Sequence, residues 1–475
     1  MDDQRANAGN AISLITTAVV TEHIRRDREY WEFERRISNH IDLCFQNISK
    51  FYRREQNEYP TNILRAVSTL GTIDHLRGHY NHSAQWLQRA LDGYEKALGK
   101  HHPETLTTVY NLARLFEKQG EYVKALEWYQ RSFDGYEKAL GKNHPITLTT
   151  VGQMAGVFES QGEYAMALNW YQWALDGKEK ALGKHHPDTL TTVHNLAYLF
   201  ESQGEYAKAL EWYQRALDDR ERALAKHHPS TLTTVSRMAR IFGSQGEYAK
   251  ALEWYQLALD GFEKALGNHH PETLTTVHNL AFLFESQGEY AKALEWYQRA
   301  LGGYGKALSE HHPNTLTTVS QMASVFESQG EYAKALQWYQ RALDGKEKAL
   351  GNHHPDTLTT VHNFAYLFES QGEYAKALEW YRRALGGEDK TLGKHHPNTL
   401  NTVGQMASVF ESQGKYPKAL EWYQRAHDGF EKALGAHHPL TISSVIRLAR
   451  LRALLGLPVS QVSVFPQPPN LLHCC

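Results

Sequence analysis

The residues that could do chemistry in this chain recur in a strict rhythm. Histidine pairs followed by proline begin at His101, His185, His227, His269, His311, His353, His395 and His437, and Asn143-His144 fills the missing step. Imidazole is a common ligand for zinc, copper or nickel. Adjacent histidines on one loop rarely converge on one ion, however, and no cysteine or carboxylate recurs beside them at ligand spacing. The second histidine is therefore expected to pack at a helix junction ahead of the proline. Covalent catalysis would need a nucleophile held beside a base. No unit breaks the pattern to create one, because histidines, glutamates and serines all recur with the period, as structural residues do. No Gly-x-x-x-x-Gly-Lys-Ser/Thr loop is present to cradle a phosphate. The reading is a non-enzyme with no cofactor, no metal and no catalytic residue.

The step between pairs is 42 residues. Eight full units run from 101 to 436, a diverged one precedes them at 59–100, and a half unit from His437 to about Leu457 closes the array. Each unit reads as two helices. In 185–226, Pro187 suits a first turn, where its missing N–H costs nothing. Leu190, Val193, Leu196, Ala197 and Phe200 recur at helical spacing. Gly204 can take positive φ and end that helix. Glu205 opens the second with a charge suited to its dipole. Tyr206, Ala209, Leu210, Trp212, Tyr213, Ala216 and Leu217 form its apolar face. One tryptophan per unit, from Trp86 and Trp128 to Trp422, falls on that face and reads as core. Such a hairpin cannot bury its apolar side alone, but stacked neighbours can. Stability is then expected as repeat terms plus nearest-neighbour terms, so whole units could be removed and leave folded, shorter arrays. Arg452 stands where each full unit from 101 onward has phenylalanine, as suits a terminal cap with no second helix to cover it.

Composition narrows the partners. Formal net charge is -2 over 475 residues, with 22% charged side chains of both signs. That balance does not suit nucleic acid and the sequence shows no lysine or arginine stripe, so the tryptophans are not read as base-stacking platforms. Three cysteines, Cys44, Cys474 and Cys475, make no disulfide framework. Asp2 and Asp3 stand where a signal peptide would be basic. No apolar run reaches the roughly 18 residues of a membrane helix. A cytoplasmic protein without membrane contact is the expectation.

The spacing Leu196-Ala197-x-x-Phe200, followed by Ala209-x-x-x-Tyr213-x-x-Ala216, resembles the tetratricopeptide consensus. The period exceeds that family's usual 34 residues and no proline ends the second helix. The longer second helix and the recurring Gly-x-x-His-Pro junction resemble the tetratricopeptide units of kinesin light chains. This resemblance covers 59–457 and implies an all-α, right-handed superhelical solenoid of helix-turn-helix repeats.

Where near-identical copies differ, the differences alternate. Units starting at 101, 185, 269 and 353 carry Tyr110-Asn111-Arg114, His194-Asn195-Tyr198, His278-Asn279-Phe282 and His362-Asn363-Tyr366. Those starting at 143, 227, 311 and 395 carry Gly152-Gln153-Gly156, Ser236-Arg237-Arg240, Ser320-Gln321-Ser324 and Gly404-Gln405-Ser408. A fourth position follows suit, with Leu112, Leu196, Leu280 and Phe364 alternating with Met154, Met238, Met322 and Met406, as if an 84-residue double unit had been duplicated. These positions share a face beside the apolar stripe. The resemblance implies that first-helix positions line a concave groove and that Asn111, Asn195, Asn279 and Asn363 match the kinesin-light-chain asparagine that holds extended peptides, with Phe364 replacing the leucine in the last. A primary amide both donates and accepts, reading backbone rather than sequence. Aromatic surface is expected at Tyr198, Phe282 and Tyr366, amide contacts at Gln321 and Gln405, and a cationic spot for an acidic ligand residue at Arg237 and Arg240 beside Arg114. The expected partner is a protein or extended peptide, with self-association as an alternative.

Residues 1–58 lie outside the repeat. Leu14, Ile15, Ala18, Val19 and Ile24, then Tyr30-Trp31-x-Phe33-x-Arg35-Arg36, suggest helices that form an N-terminal cap. The stretch also resembles the segment that precedes tetratricopeptide arrays in NB-ARC or NACHT receptors, which would make the chain the sensing half of such a receptor. The proline-rich tail 458–475 is expected to be disordered, and its Cys474-Cys475 end to be an unused thiol pair rather than a prenylation signal.

Overall fold

A computed structural model of the chain describes residues 61–458, so the N-terminal segment, its resemblance to a receptor linker, and the tail beyond Pro458 fall outside the described residues. Nineteen helices and no strand occur among those described. They alternate as expected. First helices are α1 (Thr61–Leu76), α3 (Pro103–Lys118), α5 (Pro145–Ser160), α7 (Pro187–Ser202), α9 (Pro229–Ser244), α11 (Pro271–Ser286), α13 (Pro313–Ser328), α15 (Pro355–Ser370), α17 (Pro397–Ser412) and α19 (Pro439–Leu454). Second helices are α2 (Tyr80–Leu98), α4 (Tyr122–Leu140), α6 (Tyr164–Leu182), α8 (Tyr206–Leu224), α10 (Tyr248–Leu266), α12 (Tyr290–Ala307), α14 (Tyr332–Leu350), α16 (Tyr374–Thr391) and α18 (Tyr416–Leu434). The array is a right-handed solenoid of helix-turn-helix repeats. No described helix is long and apolar enough to cross a membrane.

The His-Pro junction explains the register. His186 sits in extended backbone at the cap of α7, and its Nδ1 accepts from the Asp188 N–H at 3.1 Å, satisfying one donor that the helix leaves free. Thr189 Oγ1 donates back to the Gly183 carbonyl at 2.9 Å, tying the end of α6 to the start of α7. The same pair of bonds recurs at His228 with Thr231, His270 with Thr273 and His396 with Thr399. The second histidine is thus a helix cap, the structural role expected of it. At the other end of α7, Gly204 takes φ 70° while Glu205 N donates to the Phe200 carbonyl at 2.9 Å, a Schellman-type stop. Glu205 precedes α8 without a side-chain capping bond and pairs instead with Lys208.

Packing within a unit relies on the alanines and tyrosines. Ala197, Ala209, Ala216 and Tyr213 are fully enclosed. Trp86 is buried as expected of core, but the tryptophans of the later units are a correction. Trp128, Trp212 and Trp338 are half-buried at the seams between units, tilted against Phe116, Phe200 and Phe326 and covered by Arg131, Arg215 and Arg341. An indole is too large for the alanine-lined gap, so it seals the seam from outside. Arg215 also reaches back to Glu179 of the preceding second helix. Arg452 fulfils its capping role by donating to Gln424 at 2.9 Å.

Contacts beyond nearest neighbours were not expected. A β-carbon on Gly78 would meet Pro313 Cδ at 2.9 Å, and Gly120, Gly162 and Gly204 stand in the same relation to Pro355, Pro397 and Pro439, each 235 residues later. His354 Nε2 approaches the Lys118 carbonyl at 2.9 Å. Successive superhelical turns, between five and six units apart, therefore clasp each other through the capping histidine. Nearest-neighbour terms alone do not describe this array.

One junction is strained. Ala225 follows α8 with φ 83° and ψ 160°, where most other units have glycine. Backbone of this kind costs a residue with a β-carbon about 1–3 kcal/mol. Ala225→Gly is expected to stabilise the protein by about 1 kcal/mol net of glycine's extra unfolded-state freedom, seen as a higher midpoint in urea with unchanged slope. An unchanged or lower midpoint would show that the junction carries no such strain.

Candidate peptide-binding groove

First helices of successive units touch one another, as α1 with α3 and α13 with α15, whereas second helices are not brought together in this way. The first helices therefore form the inner, concave wall. Asn111, Asn195, Asn279 and Asn363 lie half-buried on α3, α7, α11 and α15, and Gln321 and Gln405 likewise on α13 and α17. Phe282 and Tyr366 are exposed, at 49% and 46%, while Tyr198 is half-buried. Arg114 is half-buried on α3.

The three histidines of this set are half-buried, like the asparagines beside them. His194, His278 and His362 pack edge-on against Tyr213, Tyr297 and Tyr381 with ring centres 5.1–5.2 Å apart. Nδ1 of His278 meets Thr318 Oγ1 at 3.1 Å, and that of His362 meets Thr402 Oγ1 at 2.9 Å. Burial drives both imidazoles down to about 4 and that of His194 well below its usual value, with Arg220 and Arg237 adding to the last. They join one unit to the next through Thr234, Thr318 and Thr402.

The arginine pair is partly committed. Arg240 Nη2 pairs with Glu201 Oε1 at 2.7 Å, and both Arg237 and Arg240 lie over the Tyr198 ring at 4.6 and 5.7 Å. Nor is this pair alone. Arg447 and Arg450 occupy the same positions of α19, with Arg450 on Glu411 at 2.6 Å and Arg447 near Gln405. The final half unit carries this signal, which a comparison of full units passes over.

Two further sets of residues escaped the sequence reading. A carboxylate recurs at Glu117, Glu159, Glu201, Glu285, Glu327, Glu369 and Glu411, each accepting from the tyrosine of its own second helix, as Tyr213 to Glu201 at 2.9 Å and Tyr297 to Glu285 at 2.7 Å. Ser202 and Ser370 bind Glu159 and Glu327 from the following unit. Burial pushes Glu159 and Glu327 up to about 7. Gly243 interrupts the series. The repeated Glu-Ser-Gln motif reads as surface, and its one legible signal was recurrence at a fixed distance from tyrosine. The second set follows the second-helix glycine. Lys178 and Lys346 are buried there and donate to Thr192 and Thr360 of the next unit at 3.2 and 3.0 Å. Arg220 donates to Thr234 at 2.7 Å, and Glu388 Oε2 has no partner.

Comparison with known proteins agrees with this architecture. The tetratricopeptide repeat profile matches residues 62–138, 109–180, 178–222, 188–264, 230–306, 279–348, 314–387 and 397–458. The chain belongs to the tetratricopeptide repeat family. No curated protein matches in sequence. Among solved structures, a Rap protein complexed with Competence and Sporulation Factor is similar with TM-score 0.51 and 16% identity, over 79% of this chain and 99% of that one. The Rap conjugation gene regulator of plasmid pLS20 in complex with the Phr* peptide follows at 0.50 and 13%, over 72% and 96%. A Podosopora anserina chain of nearly identical TPR-like repeats, assigned to kinesin light chain, matches at 24% identity and TM-score 0.35, over 43% and 97%.

The buried histidines give stability a pH dependence. Above about pH 6.5 they are neutral in both states. Below it the unfolded chain binds protons that His278 and His362, together with the capping His270, His312 and His396, refuse until about 4. Stability falls across that window. Glu159, Glu327 and Glu388 act oppositely, losing stability as pH rises towards 7, but they are fewer. Thermal unfolding by circular dichroism at pH 7.5, 6.0 and 4.5, each about a unit or more apart on the histidine titration, should show a falling midpoint. The double variant His278→Gln/His362→Gln should show a shallower fall. Parallel curves for the two proteins would remove these imidazoles from the account.

Proposed function

We propose that this protein is a non-catalytic scaffold that holds an extended segment of a partner protein along its concave groove. One observation carries the reading: amides at Asn111, Asn195, Asn279 and Asn363, with Gln321 between the last two and Gln405 beyond them, recur at one repeat position of the inner wall and are half-exposed there. An amide row of this kind can pair with peptide backbone of any sequence. Around it, Tyr198, Phe282 and Tyr366 supply aromatic surface, and Arg114, Arg237 and Arg240 supply charge. His194, His278 and His362, half-buried beside the amides, complete the row. Two Rap structures of similar fold were solved with a signalling factor and a peptide, which supports the same use of the architecture here. The reading includes no enzyme activity and no nucleic-acid or membrane partner, and it places the protein in the cytoplasm.

The test is capture of partners from lysate by the full chain and by Asn195→Ala/Asn279→Ala/Asn363→Ala, both first checked for equal helicity. Partners should be held by the wild type and lost by the variant, because each lost amide pair costs about 1 kcal/mol. Equal retention would move the binding surface off the groove. A second reading, self-association through the end of the array, has its own observation: Ile446 and Leu454 of α19 are 54% and 69% exposed. A mass that rises with concentration in sedimentation would favour it.

A further inference from the structure

The chain contains its own example of an occupied groove pocket. At the seam between α7 and α9, the Arg240 guanidinium lies over the Tyr198 ring and pairs with Glu201, whose second oxygen is held by Tyr213. At the seam between α11 and α13 the same parts recur without the arginine. Phe282 replaces Tyr198, Glu285 replaces Glu201, Tyr297 holds that carboxylate at 2.7 Å, and Ser324 stands where Arg240 would be. The Phe282 ring is left 49% exposed, and Gly243, on the preceding first helix, presents no side chain in the carboxylate series beside it. The seam between α15 and α17 repeats the arrangement with Tyr366, Glu369 and Ser408, the serine donating to Glu369 at 2.9 Å. At α19 the arginine is back, as Arg450 on Glu411.

Resting on the groove reading above, we propose that the Phe282–Glu285 notch, with the Tyr366–Glu369 notch beyond it, binds arginine side chains of an extended peptide, each guanidinium taking the place that Arg240 fills in cis. A guanidinium stacks on an aromatic face and pairs with a carboxylate at once, which an ammonium does less well. Charge supports it, since the hydrogen-bond partners of Glu285 are the hydroxyls of Tyr297 and Ser324, and burial holds its carboxyl above the usual range. The second notch is the weaker, because Arg447 lies close enough to bear on Tyr366 and Glu369. The ligand chemistry is thus the opposite of the acidic residue suggested by Arg237 and Arg240, which both lie over Tyr198 while Arg240 is already paired with Glu201.

Packed helices stand about 8–10 Å apart, so two seams are about 20 Å apart and about six extended residues span them. The probe is a fluorescein-labelled peptide of glycine, serine and asparagine with two arginines at that spacing, titrated against the full chain by anisotropy. Citrulline or glutamate in place of arginine, and Glu285→Gln in the protein, should each weaken binding about tenfold, the loss of one charge-assisted pair. Ser324→Arg should rebuild the Arg240 pairing in cis, raise the melting temperature and block the peptide. Its stability readout needs no ligand. Equal binding of the citrulline peptide, or preference for glutamate, with retained sensitivity to the asparagine variant would overturn this inference and leave the groove reading standing. Peptide binding indifferent to charge and to the asparagines would overturn both. So would a wild type that binds none of the peptides, and a Ser324→Arg protein no more stable than wild type would show that the notch does not accept a guanidinium.

Discussion

A two-helix unit of this size has more apolar surface than its own two helices can cover, and everything else in the molecule follows from how the next unit covers it. Tyr213 and Leu217 of one hairpin pack with Val235, Met238 and Ile241 of the next in a single cluster, so no unit has a complete core of its own. Continuous stacking requires each second helix to deliver the chain to the next first helix at a fixed angle. The capping histidine, the N1 proline and the threonine that bonds back across the turn hold that angle at junction after junction. A repeated angle produces a superhelix, and the superhelix brings the capping histidines His312, His354, His396 and His438 and their prolines against a hairpin glycine one turn earlier.

The same geometry sorts polar residues by depth. Apolar side chains alone would let adjacent hairpins slide, since such packing has no direction. Hydrogen bonds between a tyrosine, a carboxylate and a serine or arginine of the following unit fix the register, as in Tyr171, Glu159 and Ser202. A second tie crosses from second helix to next first helix through Lys178, Arg220 or Lys346. Burying a charge in this way is tolerable only when each donor finds an acceptor. Glu388, which takes the same position with an unpartnered oxygen, is pushed up to about 7 and is mostly protonated below that pH.

Variation between copies falls on the inner wall, which alternates between asparagine units and small-residue units. Some of its variable positions still tie one unit to the next, as Arg240 does on Glu201 and Ser408 on Glu369. Its chemistry is set by which carboxylates the protein satisfies internally, as Arg240 and Arg450 do for Glu201 and Glu411, and which it leaves to hydroxyls.

The sequence by itself determined the helices, their boundaries and their stacking order, because proline, glycine and a 3.6-residue apolar stripe act locally and recur nine times over. It also determined which positions vary, and hence the face that carries Asn195, Asn279 and Asn363. Depth was decided only by the tertiary structure. His194, His278 and His362 share that face by spacing, yet lie against tyrosines of the second helix beneath it. Lys178 and Lys346 look like surface charges and are buried, while the tryptophans of the later units look like core and sit half-exposed at the seams. Helical periodicity assigns a residue to a side of its helix, but how far the neighbouring unit overlaps that side depends on the crossing angle between units. That same angle, summed over between five and six units, is what brings Lys118 to His354.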